Sequence, residues 1–213
     1  MKKTQLSAQP LPDSSVTETN SQSVVVETQE HRRFVEFCDA CKRYKYIGLC
    51  YGSPGVGKTV SARHYSNWDR VEEFWERLTD AKATAEEVAA STTAFYTAPV
   101  VGSPHVIDRE IEKIRRRLHN EVIDLRRLAE QKELVRRLDV LENLRDRQEN
   151  PNGYRSREAD DAEDAYLAQR KRMTGLAGSV PDPIALLVVD EADRLKMAGL
   201  EQIRSIFDQG RSG

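Results

Sequence analysis

The residues Gly52-Ser53-Pro54-Gly55-Val56-Gly57-Lys58-Thr59 have the form G-x-x-x-x-G-K-[ST]. Glycines in such a run reach backbone conformations that aim successive N–H groups at one point, so the loop can wrap a chain of phosphates. A helix starting directly behind it adds unpaired N–H groups and the positive end of its dipole. In this pattern the Lys58 ammonium reaches the β- and γ-phosphates of a nucleotide, and the Thr59 hydroxyl is a magnesium ligand. A second set of groups lies far along the chain, where the apolar run Ile184 to Val189 is followed at once by Asp190-Glu191. Carboxylates at the C-terminal end of a buried strand sit where open α/β sheets bind their ligands. Asp190 suits hydrated magnesium, and Glu191 suits the base that orients and deprotonates an attacking water. The plain alternative is a chance glycine-rich turn with a helix cap at Asp190. The two motifs together favour a nucleotide site with magnesium.

These residues need elements to hold them. Tyr46 to Tyr51 reads as a buried strand entering the glycine loop, and Lys58 to Ser66 as a helix leaving it. Phe34, Phe37, Cys38 and Cys41 mark one face of an earlier helix. Val71, Phe74, Trp75 and Leu78 mark another behind the cap Asp69. Phe95 to Val101 reads as a second strand, closed by the turn formers Gly102-Ser103-Pro104. From Asp108 to Glu149 charged residues dominate, yet Ile111, Ile114, Leu118, Leu125, Leu128 and Val135 keep a rough 3.5-residue period. This predicts a long, thinly apolar helix suited to a coiled-coil hairpin. Asn150-Pro151-Asn152-Gly153 is a turn signal, and a second charged helix over Ser156 to Met173 runs back. Leu200, Ile203, Ile206 and Phe207 predict a last amphipathic helix.

Composition narrows the classes. The chain has 213 residues, 38% hydrophobic and 32% charged, enough for one medium domain or two small ones. The longest apolar run is too short to span a bilayer, and polar Thr4 to Asn20 supplies no signal-peptide core, so membrane insertion and secretion are not expected. A net charge of −2 excludes bulk basic attraction to nucleic acid. Three cysteines fit a reducing cytoplasm rather than a disulfide framework. Cys38-Asp39-Ala40-Cys41 has C-x-x-C spacing, but no second pair follows it, and both cysteines share the apolar face of Phe34 and Phe37, which favours packing. His31, His64, His105 and His119 show no ligand spacing, so no metal besides magnesium is expected. Arg115, Arg126 and Arg137 recur on nearly one helix face. A phosphate-tracking surface is one reading; pairing with Glu112, Glu130 and Glu133 on a solvated face is the favoured one.

The Ser53 to Thr59 loop with its Pro54, the stretch Tyr46 to Tyr65 and Val188-Val189-Asp190-Glu191-Ala192-Asp193-Arg194-Leu195 resemble the AAA+ ATPases. Within them they resemble the transposition regulators related to the phage Mu B protein, TnsC and TniB. The resemblance covers Gln29 to Val106 and Pro181 to Gln209. It implies ATP phosphates at Gly55, Gly57, Lys58 and Thr59, magnesium at Thr59 and Asp190, water activation at Glu191, and adenine near the helix of Gln29 to Lys45. It further implies a homo-oligomer that binds DNA and signals to a transposase. Asp190-Glu191-Ala192-Asp193 spells DEAD, but the further motifs of a DEAD-box helicase find no match.

Lys58 and Asp190 stand about twice as far apart as in compact members, with the charged hairpin between them. By the same resemblance, the sensor strand that in AAA+ proteins follows this last helix and lies between the two motif-bearing strands is expected to be missing here, as are the arginine finger and lid. The expected fold is therefore an α/β P-loop domain of AAA+ type with an inserted helical hairpin and missing C-terminal strands. Its parts are a disordered tail (1–28), a first core segment (29–106), the hairpin (107–180) and a second core segment ending early (181–213). The expected function is magnesium-dependent ATP hydrolysis in a cytoplasmic transposition or phage regulator. The alternatives are a truncated, nucleotide-binding remnant without turnover and, behind it, a DEAD-box-like helicase.

Overall fold

The computed structural model describes residues 27–76, 83–146 and 157–210. Of the tail read over residues 1–28, residues 1–26 lie outside the described residues, as do the turn at Asn150 to Gly153, Leu78 and residues 211–213, and Thr28 belongs to the first helix as its cap.

Helix α1 (Gln29–Tyr44) starts at Thr28, whose hydroxyl accepts from the His31 N–H at 3.1 Å. It stops at Lys45, which takes a left-handed conformation. Helix α2 (Lys58–Tyr65) follows the glycine loop, and α3 (Trp68–Glu76) follows Asn67, also left-handed. Asp69, expected as the cap of this helix, lies instead in its first turn and accepts from Arg63 Nε at 2.6 Å. A short helix α4 (Ala85–Ala89) carries a complete capping box between Thr84 and Glu87.

Strand β1 (Thr93–Thr97) is shorter than expected and begins earlier. Pro99 has no N–H to give a ladder, so pairing ends before it, and Val100 and Val101 stay exposed. The expected turn at Ser103-Pro104 is the start of α5 (Pro104–Asp146), with proline at the first helical position. This helix has 43 residues and is about 65 Å long. Helix α6 (Arg157–Ser179) packs back along it and leads into β2 (Leu186–Asp190), a 3-10 turn (Ala192–Arg194) and α7 (Met197–Gly210).

The two strands form a parallel pair in which Thr93 faces Leu186 and Thr97 faces Asp190. Around them lie two apolar clusters. One joins Ala62, Trp68, Val71, Val88, Ala94, Phe95 and Leu118. The other joins Tyr96, Ala98, Ile107 and Ile111 to Leu187, Val189, Ile203 and Ile206. Ile107, Ile111 and Leu118 are wholly buried, and each such side chain contributes about 1.5–3 kcal/mol.

Two further expectations fail for physical reasons. Tyr46 to Tyr51 is not a strand: it runs irregularly, with Leu49 76% and Tyr51 87% exposed. In the register of β1 and β2, the backbone groups of Leu186, Val188 and Asp190 bond toward β1, so those of Leu187 and Val189 face the other edge. Among the described residues no strand pairs along that edge, and an apolar segment without a ladder partner does not become a strand. Leu128 and Val135 likewise fall outside the apolar seam and are about half exposed. Helix α5 packs on the strands at its base and on α6 farther out through Ile123 and Leu141. The two faces lie roughly a third of a turn apart, so one heptad stripe cannot serve both.

Candidate phosphate-binding site

The glycine loop owes its path to two residues. Gly55 and Gly57 have φ of 80° and 83°, where a side chain is strained, and Gly57 is the residue on which α2 starts. The loop is exposed from Gly52 to Val56. Lys58 folds back over it, its ammonium donating to the carbonyls of Gly52 at 2.8 Å and Ser53 at 2.9 Å. Thr59, one residue farther along the helix, donates its hydroxyl to Asp190 Oδ2 at 2.9 Å. That bond joins residues 131 apart in the chain and sets the head of α2 against the C-terminal end of β2.

Glu191 leaves β2 with φ 55° and ψ 35°, a left-handed conformation that costs a residue with a side chain about 1–2 kcal/mol. Its carboxylate pairs with Arg194 at 3.5 Å, and Arg194 also donates to the Ala98 carbonyl at 3.4 Å. The structure thus brings together Thr59 and Asp190, and separately Lys58 with its own loop and Glu191 with Arg194. No hydrogen bond or ion pair joins Lys58 or Glu191 to Thr59 or Asp190. Arg194 was not singled out from the sequence, although its position three residues after Glu191 is a helical pairing distance.

Helix α1 packs against α2. The His31 and His64 rings meet edge to face at 5.0 Å, Phe34 meets Tyr65, and Tyr65 donates to Asp39 at 2.7 Å. Cys38 and Cys41 are buried in α1, and a Cβ at Gly48 would come within 2.3 Å of Phe37 and 2.6 Å of Cys41 Sγ. The chain entering the glycine loop therefore touches α1 at a point where only glycine fits. Gly48→Ala is expected to cost about 1–3 kcal/mol, read as a lowered thermal midpoint, and an unchanged midpoint would contradict that contact.

Burial, with the neighbouring Cys41, pushes the Cys38 thiol up to about 12, and burial raises Cys41 as well. Burial and the bond to Asp39 raise Tyr65. Groups held protonated in this way support the fold below their unfolded values, and that support is lost as pH rises through the folded ones. Stability is accordingly expected to decline between about pH 9 and 12. At pH 8 a thiol reagent is expected to modify the exposed Cys50 and to spare Cys38 and Cys41 until the chain unfolds. Rapid modification of all three would refute their burial.

A family model described as an AAA domain matches residues 41–213. The chain belongs to this AAA family. Membership gives it an α/β P-loop fold, here mostly helical with two parallel strands, and ATP as its ligand. A Staphylococcus aureus protein named "Potential ATP-binding protein" is 36% identical over 189 residues, covering 86% of this chain and 54% of that protein. This AAA chain thus spans about half the length of the curated relative it matches. No solved structure matches it. Among the described residues, no helix of this AAA domain is long and apolar enough to cross a membrane.

Proposed function

We propose that this AAA domain hydrolyses ATP with magnesium at the junction of the glycine loop and the end of β2. The observation that supports it best is the Thr59–Asp190 bond, because it sets a hydroxyl and a carboxylate side by side beside the loop. That donor set fits magnesium, a hard ion that takes one or two protein oxygens and keeps most of its waters. Thr59 and Asp190 would hold the ion, which supplies charge neutralisation on the phosphate oxygens. The backbone N–H groups from Gly52 to Gly57 and the head of α2 bind the phosphates. Lys58 turns from the Gly52 and Ser53 carbonyls to the β- and γ-phosphates. Glu191 orients a water and takes its proton as the oxygen bonds to the γ-phosphorus and ADP departs.

The resemblance of the loop and of Val188 to Leu195 to transposition regulators extends the proposal: an oligomer that engages DNA and a transposase, with the hairpin over 107–180 as an insertion in the ATPase core. A second reading, nucleotide binding without turnover, is favoured by the Arg194 pairing that occupies the Glu191 carboxylate. Phosphate release by the purified chain, with magnesium and with chelator, tests the choice. Turnover only with magnesium supports hydrolysis. ATP binding with no release under either condition supports the second reading.

A further inference from the structure

The α5–α6 hairpin takes no part in that site, yet its charges are sharply sorted along its length. Across residues 125–137 of α5 and 165–173 of α6 there are eight Lys or Arg and two Glu. Across residues 138–146 and 157–164, nearer the tip, there are eight Asp or Glu and two Arg. The two zones are level on both helices, because Gln169 donates to the Glu130 carbonyl at 3.3 Å and Arg145 meets Glu163 at 3.5 Å. Their centres are about 16 Å apart, two Debye lengths at physiological salt, so each acts on its surroundings as a separate patch.

Over the same span Leu128, Val135, Val140 and Leu167 are about half exposed. Leu128 and Val135 are two turns apart on the face of α5 turned away from α6. Arg170, Lys171 and Arg172 are exposed and make no ion pair among the described residues.

We propose that two copies of this chain associate through their hairpins, antiparallel about a two-fold axis, with the basic middle of each against the acidic tip of the other. The equal and opposite excess in the two zones is the argument for a second copy: one antiparallel placement satisfies both patches twice, as a self-complementary contact requires. Leu128 and Val135 lie within the length of that overlap and add apolar area to it. A nucleic acid would be drawn to the basic zone alone, repelled by the acidic tip one zone farther on, and would leave the apolar residues without a role. The association is independent of nucleotide, so it is expected equally in Lys58→Ala.

Sedimentation of the full chain tests this with charge exchange. At about 50 mM salt and without nucleotide the wild type is expected to run as a dimer, and about 500 mM salt is expected to weaken it tenfold or more. Arg170→Glu with Lys171→Glu and Arg172→Glu, or Asp160→Lys with Asp161→Lys and Asp164→Lys, is each expected to leave monomer. An equimolar mixture of the two variants is expected to recover the dimer, since the mixed pair restores one native contact of basic middle with acidic tip that neither variant can make with itself. Should either triple variant lose helical circular dichroism, the single changes Lys171→Glu and Asp164→Lys take its place in the same mixture. A monomeric wild type, a variant that still dimerises, or a mixture that fails to recover overturns the proposal. So does a basic-zone variant that loses binding to a duplex DNA probe while self-association is unaltered.

Discussion

Lys58→Ala is expected to lower affinity for ATP by about a hundred- to ten-thousand-fold, since hydrogen bonds from a charged group are each worth about 1.5–3 kcal/mol and the proposed site has this ammonium reach two phosphates, β and γ. Its two present acceptors are carbonyls of the loop itself, Gly52 and Ser53. The position therefore serves the shape of the loop as well as the phosphate, and alanine removes both contributions. Titration with a fluorescent ATP analogue measures the loss, and a thermal melt without nucleotide shows how much belongs to the loop alone. Lys58→Arg is not a rescue, because a planar fork does not match the geometry of a compact ammonium between two carbonyls. An affinity within threefold of wild type would mean that phosphate is bound elsewhere.

Replacing Glu191 separates binding from chemistry. Glu191→Gln keeps size and backbone but removes the base, so ATP affinity should hold while turnover falls by about 10²–10⁴-fold. Equal loss of both would dismiss the assignment. The backbone adds an independent signature. Glu191 is left-handed, so Glu191→Gly is expected to raise stability by about 1 kcal/mol while abolishing turnover just as completely. A residue whose removal stabilises the chain and destroys its reaction is held there by the chemistry and not by the fold.

Much of this arrangement was readable because its signals are local. The G-x-x-x-x-G-K-T run specifies a loop by two glycines that adopt positive φ, and Ile184 to Val189 reads as a strand by apolar continuity. The resemblance to AAA+ ATPases was legible at family level through the same residues. What failed depends on partners distant in sequence. Tyr46 to Tyr51 has the composition of a strand, but composition does not supply a neighbour. Leu128 and Val135 fit a heptad, but α5 divides its faces between the strands and α6. The capping box of α4 was legible in Thr84-Ala85-Glu86-Glu87 and passed over. Arg194 gains meaning only once the 3-10 turn brings it back to Glu191.

The length of the hairpin bears on how the chain finds its fold. Thr59 and Asp190 must meet across 131 residues, and β1 must find β2 with most of that stretch between them. Contacts of such range are slow, because the entropy of closing the loop precedes any reward. Helices α5 and α6 zip outward from the segment that connects them, and once they have done so the end of α6 is fixed beside α5, where the His119 ring meets the Val180 carbonyl at 2.9 Å. The remaining search is then over the short segments that flank the hairpin, a saving of roughly 1–2 kcal/mol in closure entropy. The hairpin thus acts as a splint for folding, and its zipping is expected to precede the pairing of the strands.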